Sequence, residues 1–169
     1  SAAPAATTAP SGLAANAPLY NFNPVVVSGG VTYRLEQFPL YRGPFPIKLA
    51  AEYLNNPGAP DDNEGYSVKL TLGKSGKKRL WELGYELREL QADAIYEEFP
   101  ESDFNAFTQT ATTTGGTAAF VNGTNVRGHI FKVVYSITDS LAFALTYWLT
   151  ENIHENPIDS VSRANRLQV

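Results

Sequence analysis

A period of two in hydrophobicity, repeated over segments of about nine to eleven residues, constrains this chain more than any other feature. Trp81, Leu83, Tyr85 and Leu87 alternate with Glu82, Gly84, Glu86 and Arg88. Successive side chains of an extended chain point to opposite faces, so the segment becomes greasy on one side and ionic on the other. A soluble sheet shares that pattern. Its recurrence at the length of a membrane-crossing strand, with tyrosine-rich apolar faces and charged opposite faces, points instead to a transmembrane barrel.

The 169 residues carry a net charge of −4 and a pI near 5.2, which argues against a nucleic-acid-binding surface. Cysteine is absent, which removes disulfides, thiolate catalysis and Cys-ligated metals. Methionine is absent too, including at position 1, so the sequence is expected to start downstream of an initiator. No run approaches the roughly 18 consecutive apolar residues of a membrane helix. The mean hydropathy of −0.21 does not exclude a barrel, because alternation hides hydrophobicity from an average.

Residues 1–22 are expected to form a flexible Ala/Pro/Thr-rich tail or extracellular loop, since residues 1–18 hold almost no large side chain to offset their ordering entropy. Residues 23–169 are expected to form the barrel portion. The alternation predicts strands over 25–38, 47–54, 66–73, 81–90, 126–137 and 141–150, with a seventh from 163. Pro39, Gly43, Pro44 and Pro46 are expected to break the chain after the first strand. Residues 74–77 read as a tight turn, 92–107 as a short helix and 108–124 as loop.

Long and short connections are predicted to alternate, as in outer-membrane barrels with short periplasmic turns and longer extracellular loops. The long segment 91–125 is expected to fold inward as a constriction or to cover the outer rim. Bacterial single-chain barrels have even strand numbers, so seven strands lead us to expect a piece of a longer protein.

Residues 125–147 (NVRGHIFKVVYSITDSLAFALTY) resemble the closing hairpins of Gram-negative outer-membrane porins. Gly128, Tyr135, Ile137, Thr138, Asp139, Leu141, Phe143, Leu145 and Tyr147 carry the resemblance, and the chain looks like the C-terminal part of such a porin. The resemblance implies an all-β, antiparallel up-and-down transmembrane β-barrel in a bacterial outer membrane. It implies passive diffusion of small hydrophilic solutes or ions, contact with membrane lipid and lipopolysaccharide, and a homotrimer. Neither reaction nor cofactor is implied. Such proteins end in an aromatic residue, whereas this chain ends at Arg166, Leu167, Gln168 and Val169.

In that reading the pore is lined by Arg34, Glu36, Lys48, Glu52, Lys69, Glu82, Glu86, Arg88, Lys132 and Arg166. Both signs occur, so no strong ion selectivity is expected. Glu82, Glu86 and Arg88 share a face and are expected to form a salt-bridge ladder. Tyr33, Tyr53, Tyr66, Trp81, Tyr85, Tyr135 and Tyr147 are expected to face lipid, as amphipathic rings do at membrane interfaces. Trp148, opposite in parity to Tyr147, should point inward or lie near a rim.

Two loop clusters are acidic: Asp61, Asp62 and Glu64, and Glu97, Glu98, Glu101 and Asp103. Neither has a nucleophile or histidine beside it in sequence, so solvated charge is the first expectation and bridging of divalent cations or lipopolysaccharide the second. His129 and His154 are isolated in sequence and form no metal-ligand pattern. Two alternatives remain open at this point. One is a soluble lipocalin-like barrel with its apolar faces turned inward around a small apolar ligand; the other is a non-conducting structural barrel of the envelope.

Overall fold

Antiparallel pairing converts the alternation into a sheet with two unlike faces, because directly opposed residues of neighbouring strands project to the same side. The computed structural model describes residues 23–95, 104, 124–154 and 163–169. Seven strands occur among them: β1 Val25–Leu35, β2 Phe45–Asn55, β3 Glu64–Gly73, β4 Trp81–Leu90, β5 Val126–Ser136, β6 Ala142–Asn152 and β7 Arg163–Gln168. They form one up-and-down antiparallel sheet in the order β1 to β7, and the sheet is not closed. Each interior strand pairs with its neighbours in sequence, while β1 pairs only β2 and β7 only β6 among the described residues.

Register decides what each face carries. One row runs Val31, Leu49, Leu70, Tyr85, Phe131, Tyr147 and Leu167 across all seven strands. The row displaced by one residue runs Ala50, Lys69, Glu86, Ile130, Trp148 and Arg166 from β2 to β7. A slip of one residue at any seam would exchange the two sets beyond it. The faces differ in exposure as well as in chemistry. Leu83, Phe131, Val133 and Tyr135 stand exposed, whereas Glu86, Ile130, Val134 and Trp148 on the other face are buried. We call these the apolar face and the sheltered face. β1, at the open edge, is exposed on both.

Two clusters hold the sheet's ends. On the sheltered face Val126, Ile130 and Trp148 pack with Phe104, and Leu90 lies against them. At the opposite end, the 36–44 connection lays Phe38 and Tyr41 over Phe45 and Trp81. Phe38 stacks on Phe45 at 4.1 Å between centroids, and Tyr41 meets Trp81 edge-on at 5.6 Å. The Trp81 indole donates to the Leu40 carbonyl at 3.0 Å. Gly73 sits at φ +75°, and a β-carbon there would press on Phe45, Tyr41 and the Trp81 carbonyl.

Several boundaries differ from the expectation. β1 ends at Leu35 rather than 38, and Phe38 makes an isolated bridge with Tyr41. Pro46 does not interrupt the chain but is the second residue of β2, opposite Arg34, a place near a strand's start where a missing N–H is tolerated. Residues 74–80 form a longer connection than the predicted tight turn. The connection 36–44 is also longer than 56–63, so the expected alternation of short and long connections fails after β1 and holds from β2 onward. Residues 92–95 are turn and bend and Phe104 is turn; the other residues of the predicted helix, nearly all of the predicted loop and the predicted tail lie outside the described residues.

Gly128 tests the packing directly. A β-carbon there would come within 2.8 Å of the Thr150 side chain and press on the Leu149 carbonyl, whereas at Gly29 nothing lies within 4 Å. Gly128→Ala is expected to cost about 1–3 kcal/mol by overpacking, and Gly29→Ala to change little. Thermal or denaturant unfolding of the two variants under the same conditions measures the difference.

Candidate functional site

The sheltered face carries the candidate site. By register Arg34, Lys48, Glu52, Lys69, Glu82, Glu86, Arg88, Lys132 and Arg166 all share it. Glu36 does not join them, because it lies beyond the end of β1. The sequence could not place that boundary, since Glu36 continues the alternation for one residue more than the ladder does.

Glu86 is the electrostatic centre of this face. It is 7% exposed and is the cross-strand partner of Lys69. Its Oε1 accepts from Arg88 Nε at 2.8 Å and lies 2.6 Å from the same guanidinium's Nη2. Its Oε2 lies 3.4 Å from Lys69 Nζ. A sheltered carboxylate needs such partners, because desolvation of an unpaired charge costs several kcal/mol. Of the expected ladder of Glu82, Glu86 and Arg88, the structure thus brings together Glu86 and Arg88 and adds Lys69.

Above that triad stands Phe104, 2% exposed. The Arg88 guanidinium carbon lies 5.0 Å from its ring centroid, within the range of a cation–π contact. Arg166 stands 5.9 Å over the Trp148 ring. Trp148 lies buried on the face opposite Tyr147, as its parity predicts. Phe104 belongs to the 91–125 segment, so at this residue the segment lies on the sheltered face. Sequence reasoning missed its role, because Phe104 is one of several aromatic residues in a stretch without periodicity.

The apolar face carries every aromatic expected there: Tyr33, Tyr53, Tyr66, Trp81, Tyr85, Tyr135 and Tyr147. Tyr53 and Tyr66 sit toward one end and donate to Glu64 at 2.7 Å and Glu89 at 2.8 Å. Tyr33, Trp81 and Tyr135 sit toward the other. Trp81 is half-buried against Phe38, Tyr41 and Phe45 rather than bare. Tyr85 and His129 Nδ1 share a hydrogen bond at 2.9 Å.

The end bearing residues 56–63 and 91–95 is a stitched polar rim. Buried Asn56 accepts from the Asn23 and Gly58 amides and donates to the Asp93 carbonyl at 2.9 Å. The Asp93 amide donates to the Asp62 carbonyl at 2.8 Å. His154, isolated in sequence, lies with Nε2 3.0 Å from Asp62 Oδ1 and exchanges two bonds with the Asn125 side chain. Burial, and then the nearby Asp62 charge, hold the Asp93 carboxyl above its ordinary range. The predicted cluster of Asp61, Asp62 and Glu64 is thus part of a structural rim. Glu97, Glu98, Glu101 and Asp103 lie outside the described residues. Among the described residues no group of three or more His, Asp or Glu side chains is arranged to hold a metal.

No protein-family model, no curated protein and no solved structure matches the chain.

Neutralising Glu86 removes the one buried carboxylate that Arg88 and Lys69 share. Glu86→Gln is expected to lower stability by about 1–3 kcal/mol. Glu82→Gln, where the described residues show no ion pair, should stay within about 0.5 kcal/mol. Denaturant titration of both variants is the check.

Proposed function

We propose that the chain forms part of an outer-membrane barrel of the porin type, through which small hydrophilic solutes or ions diffuse. One observation carries the reading: large apolar side chains stand exposed on one face, while the other face carries the charges and buries Glu86 between Arg88 and Lys69. Val27, Val31, Leu49, Val68, Leu83, Phe131, Val133, Tyr135 and Phe143 all stand exposed on the apolar face. A water-soluble sheet gains stability by the reverse arrangement, and contiguous apolar patches of this extent mark contact with a partner or with lipid.

The dimensions support the same reading. β1, β2, β5 and β6 have 11 residues each. At roughly 3.3 Å per residue and a tilt of about 40°, such strands cross on the order of 28 Å, close to the roughly 30 Å of a bilayer's hydrocarbon. Up-and-down order satisfies each interior strand within the sheet, as hydrocarbon requires. The open edges of β1 and β7 need further strands in a membrane. Because β1 and β7 run in the same direction, an all-antiparallel closure takes an odd number of them. The porin-like hairpin motif around Tyr135 to Tyr147 agrees with this proposal, and contacts with lipid and lipopolysaccharide and a trimer are proposed with it.

Phe104 favours a narrowed lumen over a wide one, since it brings part of the 91–125 segment onto the charged face beside Arg88. That also keeps a plugged, non-conducting barrel in view, and conductance separates the two. The full protein in planar bilayers is expected to give discrete current steps, with Lys69→Glu shifting the reversal potential toward cation preference. Absence of current from protein correctly inserted in the bilayer would contradict the channel.

A further inference from the structure

The apolar face holds a groove that the channel does not use. It measures about 400 Å³, and Leu87 and Leu149 contribute its apolar surface beneath Glu89, Arg127, Glu151 and Arg163. Those four charged residues are successive cross-strand partners, so one row reads acid, base, acid, base along the end of the apolar band. Arg127 Nε donates to Glu151 Oε1 at 2.7 Å, and Arg163 Nε to Oε2 of the same carboxylate at 3.2 Å. A guanidinium carries five N–H donors, of which each of these bonds takes one. Arg163 is the most open of the row, its side chain 82% exposed.

We propose that this groove binds the phosphorylated headgroup of a membrane lipid. Resting on the barrel reading, the proposal adds where on the wall the lipid is recognised. Arg127 and Arg163 hold the phosphate through charge-assisted hydrogen bonds. Glu89 and Glu151 accept from donors beside the phosphate, an amine or a sugar hydroxyl. The acyl chain runs down over Leu87 and Leu149. The alternating charges cancel, so the row does not attract anions in general; it matches a headgroup that offers a phosphate and N–H or O–H donors together. Charges at this level fit the membrane–water boundary, where the apolar band gives way to polar groups.

Lipid retention by the full protein, read by native mass spectrometry from micelles, tests the site. The probes are phosphatidylethanolamine and lipopolysaccharide, which carry such donors, and phosphatidylcholine, which carries a phosphate without them. At least one of the first two is expected to be retained about tenfold better than phosphatidylcholine, and Arg163→Gln to abolish that preference. Arg127→Gln should do the same; because it lies within the sheet, its folding is checked by circular dichroism, and Arg163→Gln on the outermost strand keeps the test decisive. Equal retention by wild type and Arg163→Gln would overturn the site while leaving the barrel standing. Retention of no lipid at all would overturn both. Displacement of lipid by millimolar inorganic phosphate would overturn the lipid as the ligand.

Discussion

Register across the six strand seams is the constraint on which the rest depends. Each seam continues one apolar row, from Val31 opposite Leu49 to Tyr147 opposite Leu167, while the other face carries the charges together with a few large apolar residues such as Ile130 and Trp148. No single pair is strong; cross-strand contacts are each worth only about 0.2–1 kcal/mol. Their force lies in coherence, because a one-residue slip would carry Lys69 and Glu86 into the apolar band and Leu70 and Tyr85 onto the charged face. Gly128 sharpens this coherence, since the Leu149 carbonyl and Thr150 leave no room for a side chain there.

On that frame the two faces perform different tasks. The sheltered face concentrates charge around Glu86, whose carboxylate is satisfied from β3 and from its own strand. In the proposed channel, such fixed, paired charges would set local electrostatic barriers without giving the lumen one sign. The apolar face supplies the grease and places tyrosines toward its ends. The rim around Asn56, Asp93, Asp62 and His154 joins three connections into one hydrogen-bonded structure.

Local pattern made the strands and their faces legible. Alternation alone predicted that Trp81 and Tyr85 part company with Glu82 and Glu86, and that Trp148 lies opposite Tyr147. What the sequence did not reveal depends on proximity in space. His154 and Asp62 stand 92 residues apart, and no local rule pairs them. Phe104 reaches Arg88 and the β5–β6 surface across a segment with no periodicity to read. Pro46 and Glu36 were misplaced for a subtler reason: strand ends are set by which backbone groups find partners, and Arg34 opposite Pro46 is a pairing that propensity does not foresee.

Since the chain contains no cysteine, single cysteines can report on each face without competing thiols. Spin labels at Leu83→Cys and Val133→Cys, direct partners on the apolar face, and at Lys69→Cys and Lys132→Cys on the other, would be measured in lipid vesicles by power saturation. The first pair should relax with oxygen, which concentrates in hydrocarbon, and the second with a water-soluble nickel chelate. Nickel access at positions 83 and 133 equal to that at 69 and 132 would contradict a lipid-facing apolar wall, and with it the membrane barrel.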